Sequence, residues 1–320
     1  MRHFLLLFFC TLSTMTLSQV ERTELTNGLK KDSIKSSLDG SIQPIYYYKS
    51  SDKNPKPLIV QLHSWSYHVD SLRTMEFDIE VTSKNFNYIF PNFRGVNNHI
   101  KACCSDYVIS DIDEAIDWAI KNMKVDKRQI YIVGVSGGGY ATLAMYMKSR
   151  HNIKAFSAWV PIVDLEKWYE ESVERNNKYA YEIIKCTSET ESFDAIKARA
   201  RSPIYWTTPV NMRKNSTLQI FTGIHDGHDG PVPISHSINF YNKLLTDNGI
   251  SDSSAYVSKK DLFEMLNRQT FAASTHLTIG DRTIYYQKKT KLLMLTIFEG
   301  GHEMLSKEVL GYVDQMNGSR

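Results

Sequence analysis

A serine stands among glycines in residues 134–138, which read Gly-Val-Ser-Gly-Gly. Residues 128–133 form a run of strand length before it, and residues 139–147 place apolar side chains at helical spacing after it. At such a strand-to-helix turn the serine hydroxyl stands above the sheet, and glycines permit the sharp bend and close helix packing. Free amides at the helix N-terminus face any negative charge that develops there. The pattern predicts a nucleophile at Ser136, with a purely structural glycine turn as the alternative.

A serine nucleophile needs a base, because its hydroxyl is poorly reactive at neutral pH. That base is a histidine held in one tautomer by a carboxylate. His302 follows the last predicted strand, and Gly300 and Gly301 allow its loop to fold back over the sheet. We predict His302 as the base, with a capping histidine on the surface as the alternative.

The carboxylate has two candidates. Asp226 lies three residues beyond the end of a predicted strand, and Asp229 precedes a turn into the next helix. We prefer Asp226, since strand ends fix geometry better than loops do. His225 and His228 stand beside them and raise the alternative of a metal site. Their spacing suits neither one helix face nor a paired ligand loop, so we predict no metal site. Catalysis by a serine, a histidine and a carboxylate implies no cofactor.

Backbone amides must stabilise the oxyanion of such a reaction. Gly137 directly follows the serine and is predicted to donate one amide, and Ser64 or Trp65, after the first central strand, the other. Three side chains are candidates for substrate binding: Trp65, which can stack on a sugar ring or form plain wall, His63, and Arg94. Arg94 either lines the pocket or braces its loop through a salt bridge, and we prefer the structural role.

The remaining sequence predicts the elements that position these residues. Strands are predicted over residues 46–48, 58–63, 88–91, 130–135, 155–160, 218–223 and 292–298, and amphipathic helices over 106–123 and 235–245. Strands that alternate with helices predict an α/β fold with a mostly parallel central sheet and helices on both faces. Ligands bind beyond the carboxyl ends of such strands, where the candidate residues all fall.

Two segments do not fit the alternation of strands and helices. Residues 164–210 are aromatic and charged, which favours a helical insertion that acts as a cap. Residues 250–290 exceed the length that a link between helix and strand needs, and Gly280-Asp281 predicts a hairpin over 275–286. We expect both insertions to cover the pocket and to set specificity.

The composition of the 320 residues is that of a globular protein, with 42% hydrophobic and 23% charged residues. The net charge of +3 is small and evenly spread, which argues against a nucleic-acid partner. Residues 19–320 fit one domain with insertions.

The N-terminus has the pattern of a secretory signal peptide over residues 1–18. A short basic start precedes the apolar residues 4–12, and small residues precede a cleavage position near Gln19. The apolar stretch is too short to span a membrane, and no span is predicted in the mature chain. We expect the mature chain to be secreted or periplasmic.

Export places the cysteines in an oxidising compartment. Removal of residues 1–18 leaves Cys103, Cys104 and Cys186, an odd number. A disulfide from Cys103 or Cys104 to Cys186 is one interpretation, and free buried thiols are the other.

Taken together, the motifs resemble the hydrolase domain of the prolyl oligopeptidase (S9) family and its exported single-domain relatives known as acetylxylan esterases. The matching segments are residues 91–95, 125–130, 134–139, 226–233 and 300–303. The resemblance implies the α/β-hydrolase fold, Ser136 as nucleophile and His302 as base. It leaves the acid open, because Asp229 stands where the peptidases have it and Asp226 resembles the esterase form.

The preferred functional interpretation is an exported serine esterase that cleaves an acetyl or other small acyl group from a carbohydrate through an acyl-enzyme on Ser136. Its partner is a small-molecule or oligosaccharide substrate. Only about 40 residues separate Gln19 from the first central strand, too few for the propeller that the oligopeptidases carry. The alternatives are an S9-like peptidase or aminopeptidase, a carbohydrate-active lyase or dehydratase that uses Ser136 or His302 as acid or base, and a binding protein without turnover.

Overall fold

The computed structural model describes residues 25–26, 28–74, 76–267 and 276–311. The predicted signal peptide lies outside these residues. Within the ranges described, no helix is both long enough and apolar enough to cross a membrane.

The described strands form a single mixed sheet. They are β1 (Lys30–Lys35), β2 (Ile42–Tyr48), β3 (Lys56–Leu62), β4 (Asn87–Pro91), β5 (Val125–Val135), β6 (Ala155–Trp159), β7 (Thr217–Gly223), β8 (Thr278–Ile279), β9 (Arg282–Lys289) and β10 (Leu293–Phe298). Their order is β1-β2-β4-β3-β5-β6-β7-β10-β9-β8. The neighbours from β4 to β10 pair in parallel, and antiparallel strands flank them at both edges.

Helices connect the strands and cover the sheet. They are α1 (Phe77–Ser83), α2 (Asp106–Asn122), α3 (Gly137–Lys148), α4 (Leu165–Glu174), α5 (Tyr179–Thr187), α6 (Ala195–Ala200), α7 (Val210–Arg213), α8 (Ser235–Asp247) and α9 (Lys259–Leu266). The elements α4 to α6 lie within residues 164–210, where a helical insertion is predicted, and α7 begins at its last residue.

The strand β3 illustrates how the core is divided between the two faces. Because side chains alternate along a strand, Leu58, Val60 and Leu62 lie in the cluster that contains residues of α2, α3 and α8. Ile59 lies in a second cluster with Phe77 of α1. Burial of each such side chain contributes roughly 1.5–3 kcal/mol to stability. Helices on both faces of a mainly parallel central sheet confirm the predicted fold class.

The late hairpin is present, but it does not lie where the sequence predicts it. A turn at Gly280 and Asp281 joins β8 to β9, and β9 pairs with β10. The hairpin therefore extends the edge of the sheet, and none of its described residues lines the cleft above Ser136. The expectation that this segment covers the pocket is wrong for the described residues, because backbone pairing draws the hairpin to the open edge of the sheet.

One disulfide links the predicted cap, residues 164–210, to the loop before α2. Cys103, in the loop before α2, is bonded to Cys186 of α5. Cys104 is a free, buried cysteine, and burial raises the pKa of its thiol to about 12.

Candidate active site

Ser136 occupies a sharp turn between β5 and α3. Its φ of 59° and ψ of −119° are rare for a residue with a side chain and are typical of strain at a functional site. The turn demands glycine beside it, because a Cβ on Gly134 would lie 2.2 Å from the carbonyl oxygen of Gly138. The amide of Ser136 donates to the carbonyl oxygen of Trp159 at 2.8 Å, and the carbonyl oxygen of Ser136 accepts from the amide of Tyr140 at 2.9 Å. These contacts fix the hydroxyl at the carboxyl end of the central strands.

His302 connects Ser136 to a buried carboxylate. Its Nε2 lies 2.7 Å from Ser136 Oγ, and its Nδ1 lies 2.8 Å from Asp226 Oδ2. Asp226 is only 2% exposed, and its Oδ1 accepts from the amides of Gly227 at 3.0 Å and Val232 at 3.2 Å. Because a carboxylate only accepts, Nδ1 carries the proton and Nε2 can take the serine proton. This is the geometry that nucleophilic attack by serine requires.

The structure distinguishes the two acid candidates. Asp226 contacts His302, whereas Asp229 is exposed on the same loop. The four residues considered as a metal site also separate: the Nε2 of His225 lies 2.7 Å from Glu299, and that of His228 lies 2.9 Å from the carbonyl of Leu266. Among the residues described, no group of three His, Cys, Asp or Glu side chains is arranged to hold a metal ion.

A cluster behind His302 holds its loop in place. Glu299 accepts from the Tyr285 hydroxyl and contacts His225, and the Tyr285 hydrogen bond is the main reason that the pKa of Glu299 is lowered. The amide of His225 donates to the carbonyl of Gly300 at 3.0 Å. No motif in the sequence indicates this cluster, since its members lie on three separate segments.

The oxyanion position lies between two backbone segments. Gly137 begins α3, so its amide lacks a partner within the helix. The backbone nitrogen of Trp65 lies 2.3 Å from the point that a Cβ on Gly137 would occupy, so the two backbones touch. The Ser64 hydroxyl donates to the carbonyl of Val135 at 3.1 Å and ties the two segments together. Of the two alternatives for the second amide at the oxyanion position, the close approach of the Trp65 nitrogen to Gly137 favours Trp65.

The side chains predicted to bind substrate are buried in the protein and are not available to a substrate. The Trp65 ring is packed against Trp168 with centroids 4.8 Å apart, and the residue is 2% exposed, so it cannot stack on a sugar. His63 is fully buried, its Nε2 lies 2.7 Å from the carbonyl oxygen of Asn92, and burial lowers its pKa to about 4. Its position at the end of a buried strand explains this burial.

Arg94 also lies away from the cleft. Its guanidinium pairs with Asp39 at 2.7 Å and with Asp111 of α2, and it donates to the Ser36 hydroxyl at 2.7 Å. Only the structural interpretation of this residue agrees with its contacts. Its assignment to substrate binding is wrong because the guanidinium is fully engaged inside the protein.

A cleft of 760 Å³ opens above Ser136. Its wall combines hydroxyls, tyrosines, carboxylates and apolar groups, from Ser64, Trp65, Ser66, Tyr67, Glu76, Phe77, Val135, Ser136, Tyr179, His302, Glu303, Met304 and Ser306. Tyr179 comes from α5, within residues 164–210. Phe77 begins α1 and Val135 ends β5, whereas Ser66, Tyr67, Glu76, Glu303 and Met304 stand in loops whose direction the sequence pattern does not indicate.

Comparisons with known proteins agree with this architecture. Acylamino-acid-releasing enzyme 1 of Oryza sativa subsp. japonica is 24% identical over 216 residues, which are 62% of this chain and 26% of that protein. The uncomplexed acylaminoacyl peptidase of Pyrococcus horikoshii has a TM-score of 0.56 at 15% identity, covering 91% of this chain and 41% of that one. An arylesterase has a TM-score of 0.51 at 19% identity, covering 73% and 76%. The chain thus spans less than half of both the rice relative and the Pyrococcus peptidase, and the structural likenesses show the fold alone.

The sequence model of one family extends the comparison beyond fold. The prolyl oligopeptidase family model matches residues 73–262, which include β4 to β7 and the turn at Ser136. This match confirms the resemblance inferred from the motifs. Since it extends over more than half of the 320 residues, the chain belongs to the prolyl oligopeptidase family.

Proposed function

We propose that this protein is a serine hydrolase that works through an acyl-enzyme on Ser136. The observation that carries the proposal is the continuous chain of contacts from Ser136 Oγ through His302 to Asp226, at 2.7 and 2.8 Å. The buried acid, the oriented imidazole and the strained turn at the serine all support it.

In the first half-reaction, Ser136 Oγ attacks the carbonyl carbon of the substrate while His302 Nε2 takes the hydroxyl proton. Asp226 keeps the imidazolium oriented, and the amides of Gly137 and Trp65 face the oxyanion. His302 then returns the proton to the leaving oxygen or nitrogen as the bond to the acyl carbon breaks. In the second half-reaction water replaces the leaving group, and the same proton transfers regenerate Ser136 and release the acid.

The bond we propose is an ester, in which an acetyl or other small acyl group is carried by a carbohydrate. The open cleft and its serine and tyrosine hydroxyls support this substrate class, because sugar hydroxyls need polar partners. The fold shared with an arylesterase of comparable length is consistent with ester cleavage.

Export to the periplasm or the medium is part of the proposal. The basic and apolar N-terminal pattern supports it, and so does the Cys103–Cys186 disulfide, since such bonds persist in oxidising compartments.

A second candidate is a peptidase activity. The similarity to acylaminoacyl peptidases favours it. In that reaction His302 would protonate a leaving amine, and the remaining steps would be unchanged.

The test compares substrates on one purified chain that lacks residues 1–18. Acetate release from p-nitrophenyl acetate and acetylated xylo-oligosaccharides is measured beside p-nitroaniline release from aminoacyl and N-acetylaminoacyl anilides. Ser136→Ala and His302→Ala should each lower kcat by about 10³-fold or more, and His228→Ala, an exposed histidine, should leave it within about twofold.

The outcomes separate the candidates. A higher kcat/KM on the acetylated sugar supports the esterase, and a higher kcat/KM on the anilides supports the peptidase. Loss of water or formation of an unsaturated sugar without acetate release would indicate the lyase or dehydratase instead. Absence of turnover by the folded wild-type chain on every substrate would overturn the proposal.

A further inference from the structure

The loop that carries the Trp65 amide is held by the cap. We call residues 64–67, between β3 and the short helix that follows, the oxyanion loop. Glu182 of α5 accepts from the Trp65 indole Nε1 at 2.8 Å. Lys178, at the start of the same helix, donates to the Ser66 hydroxyl at 2.6 Å and pairs with Glu182 at 3.3 Å. Two side chains of the predicted cap, those of Lys178 and Glu182, thus form hydrogen bonds with two consecutive residues of the oxyanion loop.

The same helix is anchored to the core one turn further on. Cys186 of α5 is bonded to Cys103, whose amide donates to Asn97 Oδ1 at 2.7 Å. The amide of Asn97 donates to the carbonyl of Trp65 at 2.9 Å. These contacts form a closed ring. It runs from the Trp65 indole through Glu182, α5 and the disulfide to Cys103 and Asn97, and it ends at the carbonyl oxygen of Trp65.

The chemistry of the indole makes this ring important. A buried indole N–H needs an acceptor, and a carboxylate provides a stronger hydrogen bond than a neutral group does. The Trp65 side chain is buried and Glu182 is largely so. Removal of the carboxylate would leave the N–H unsatisfied, so the side chain and the peptide unit attached to it would shift toward water or another acceptor.

We infer that Glu182 is a positioning residue for the hydrolysis, which holds the Trp65 amide in line with the Gly137 amide at the oxyanion position. The inference rests on the proposed function. Amide contacts to the oxyanion are strongest in the transition state, so displacement of the Trp65 amide lowers kcat and leaves KM nearly unchanged. A purely structural role for Glu182 would lower the melting temperature without this selective loss of kcat.

The experiment measures kcat, KM and melting temperature for Glu182→Ala, Glu182→Gln, Trp65→Phe and the double variant on p-nitrophenyl acetate. Glu182→Ala should lower kcat by about 10- to 100-fold with KM within about twofold, since loss of one oxyanion donor costs up to about 10³-fold. Glu182→Gln retains an acceptor oxygen and should recover most of the activity. Trp65→Phe combined with Glu182→Ala should be no worse than the poorer single variant, because both remove the same hydrogen bond.

Glu171→Ala is the matched control. Its carboxylate, on the adjacent α4, pairs with buried His236 at 3.2 Å instead. This variant should lower the melting temperature and leave kcat within about twofold. An equal loss of kcat in Glu171→Ala and Glu182→Ala, or an unchanged kcat in Glu182→Ala, would overturn the inference.

A second readout does not depend on turnover. The indole N–H resonance of Trp65, assigned by its absence in Trp65→Phe, should exchange slowly with solvent in the wild type and rapidly in Glu182→Ala. Slow exchange in both chains would overturn the inference even if the enzyme cleaves esters. If the wild type cleaves none of the substrates yet the exchange differs as expected, the proposed function fails and the contact between Glu182 and Trp65 stands.

Discussion

Burial decides which aspartate can serve Ser136. Asp226 is enclosed, and its Oδ1 is engaged by two backbone amides, so Oδ2 is directed at His302. Asp229 is exposed on the outer side of the same loop. A sequence that places two aspartates within four residues predicts that an acid lies there, but not which one the turn directs inward.

Exchange of each aspartate for asparagine tests this assignment. Asp226→Asn should lower kcat on p-nitrophenyl acetate by about 10³- to 10⁴-fold, because the amide stabilises the wrong imidazole tautomer. Asp229→Asn should leave kcat within about twofold. Steady-state kinetics on the two variants measures the difference, and a larger loss in Asp229→Asn would assign the acid to the other residue.

His63 should make the protein sensitive to mild acid. Burial lowers its pKa from 6.5 to about 4, so the unfolded chain binds more protons between these values. Stability therefore falls as the pH drops through this window, by about 2 kcal/mol between pH 7 and pH 5. Urea unfolding should show this loss in the wild type and in His228→Ala, and a loss smaller by about that amount in His63→Gln. Parallel pH curves for all three proteins would contradict the assignment.

Several single-residue predictions depended on information that a sequence pattern does not contain. Ser136 and His302, which the structure brings together, each follow a strand and stand beside glycines. His63 and Arg94 also follow strands, yet both turn into the protein. The pattern identifies the edge of the sheet where a residue lies, whereas its orientation depends on partners such as Asp39 and Asn92 that are remote in sequence.

Among the elements, the loop after β4 is tied to its neighbours through Arg94. The guanidinium joins Asp111 of α2 to Asp39 in the turn between β1 and β2. Each of these side chains is mostly withdrawn from solvent. Loss of one partner of such a group leaves an uncompensated charge in the interior.

Arg94→Ala should lower the free energy of unfolding by about 3 kcal/mol or more. Arg128→Ala is the matched control, since it breaks a pair with Asp126 in which the arginine is 78% exposed, and it should cost less than about 1 kcal/mol. Urea denaturation of both variants measures the difference. Equal destabilisation by the two substitutions would show that Arg94 does not hold these elements together.

The central elements were predictable, and the edge elements were less so. Strands such as β3 and β10 are buried along their length, so their apolar runs stand out in the sequence. The strand β1 is mostly exposed and rich in lysine, which suits an edge strand and hides it from a hydrophobic pattern. The turn of the late hairpin was correctly recognised, but its pairing with β10 depends on long-range contacts.

At the scale of the whole molecule, the disulfide closes a loop of 83 residues between the loop before α2 and α5. A cross-link of this span restricts the unfolded chain and contributes about 2–4 kcal/mol to stability. Cys103→Ser combined with Cys186→Ser should lower the free energy of unfolding by that amount. Cys104→Ala, which removes the buried free thiol, serves as the control and should cost less than the double variant.

Thiol counting provides an independent check of the pairing. A chain without residues 1–18 should show no reactive thiol when folded, because Cys104 is buried and its pKa is about 12. Denaturation without reductant should expose one thiol, and denaturation with reductant should expose all three cysteines. More than one thiol in the denatured, unreduced chain would contradict the disulfide.

The most direct test of the central claim is covalent labelling of the intact, folded chain with a fluorophosphonate. Ser136 Oγ should displace fluoride from phosphorus, so the chain gains one phosphonyl group, which peptide mass analysis places on Ser136. Ser136→Ala should remain unlabelled, and His302→Ala should be labelled at least about tenfold more slowly, since the base no longer takes the serine proton. An unlabelled wild-type chain, or a label on another residue, would contradict the account of Ser136 as the nucleophile.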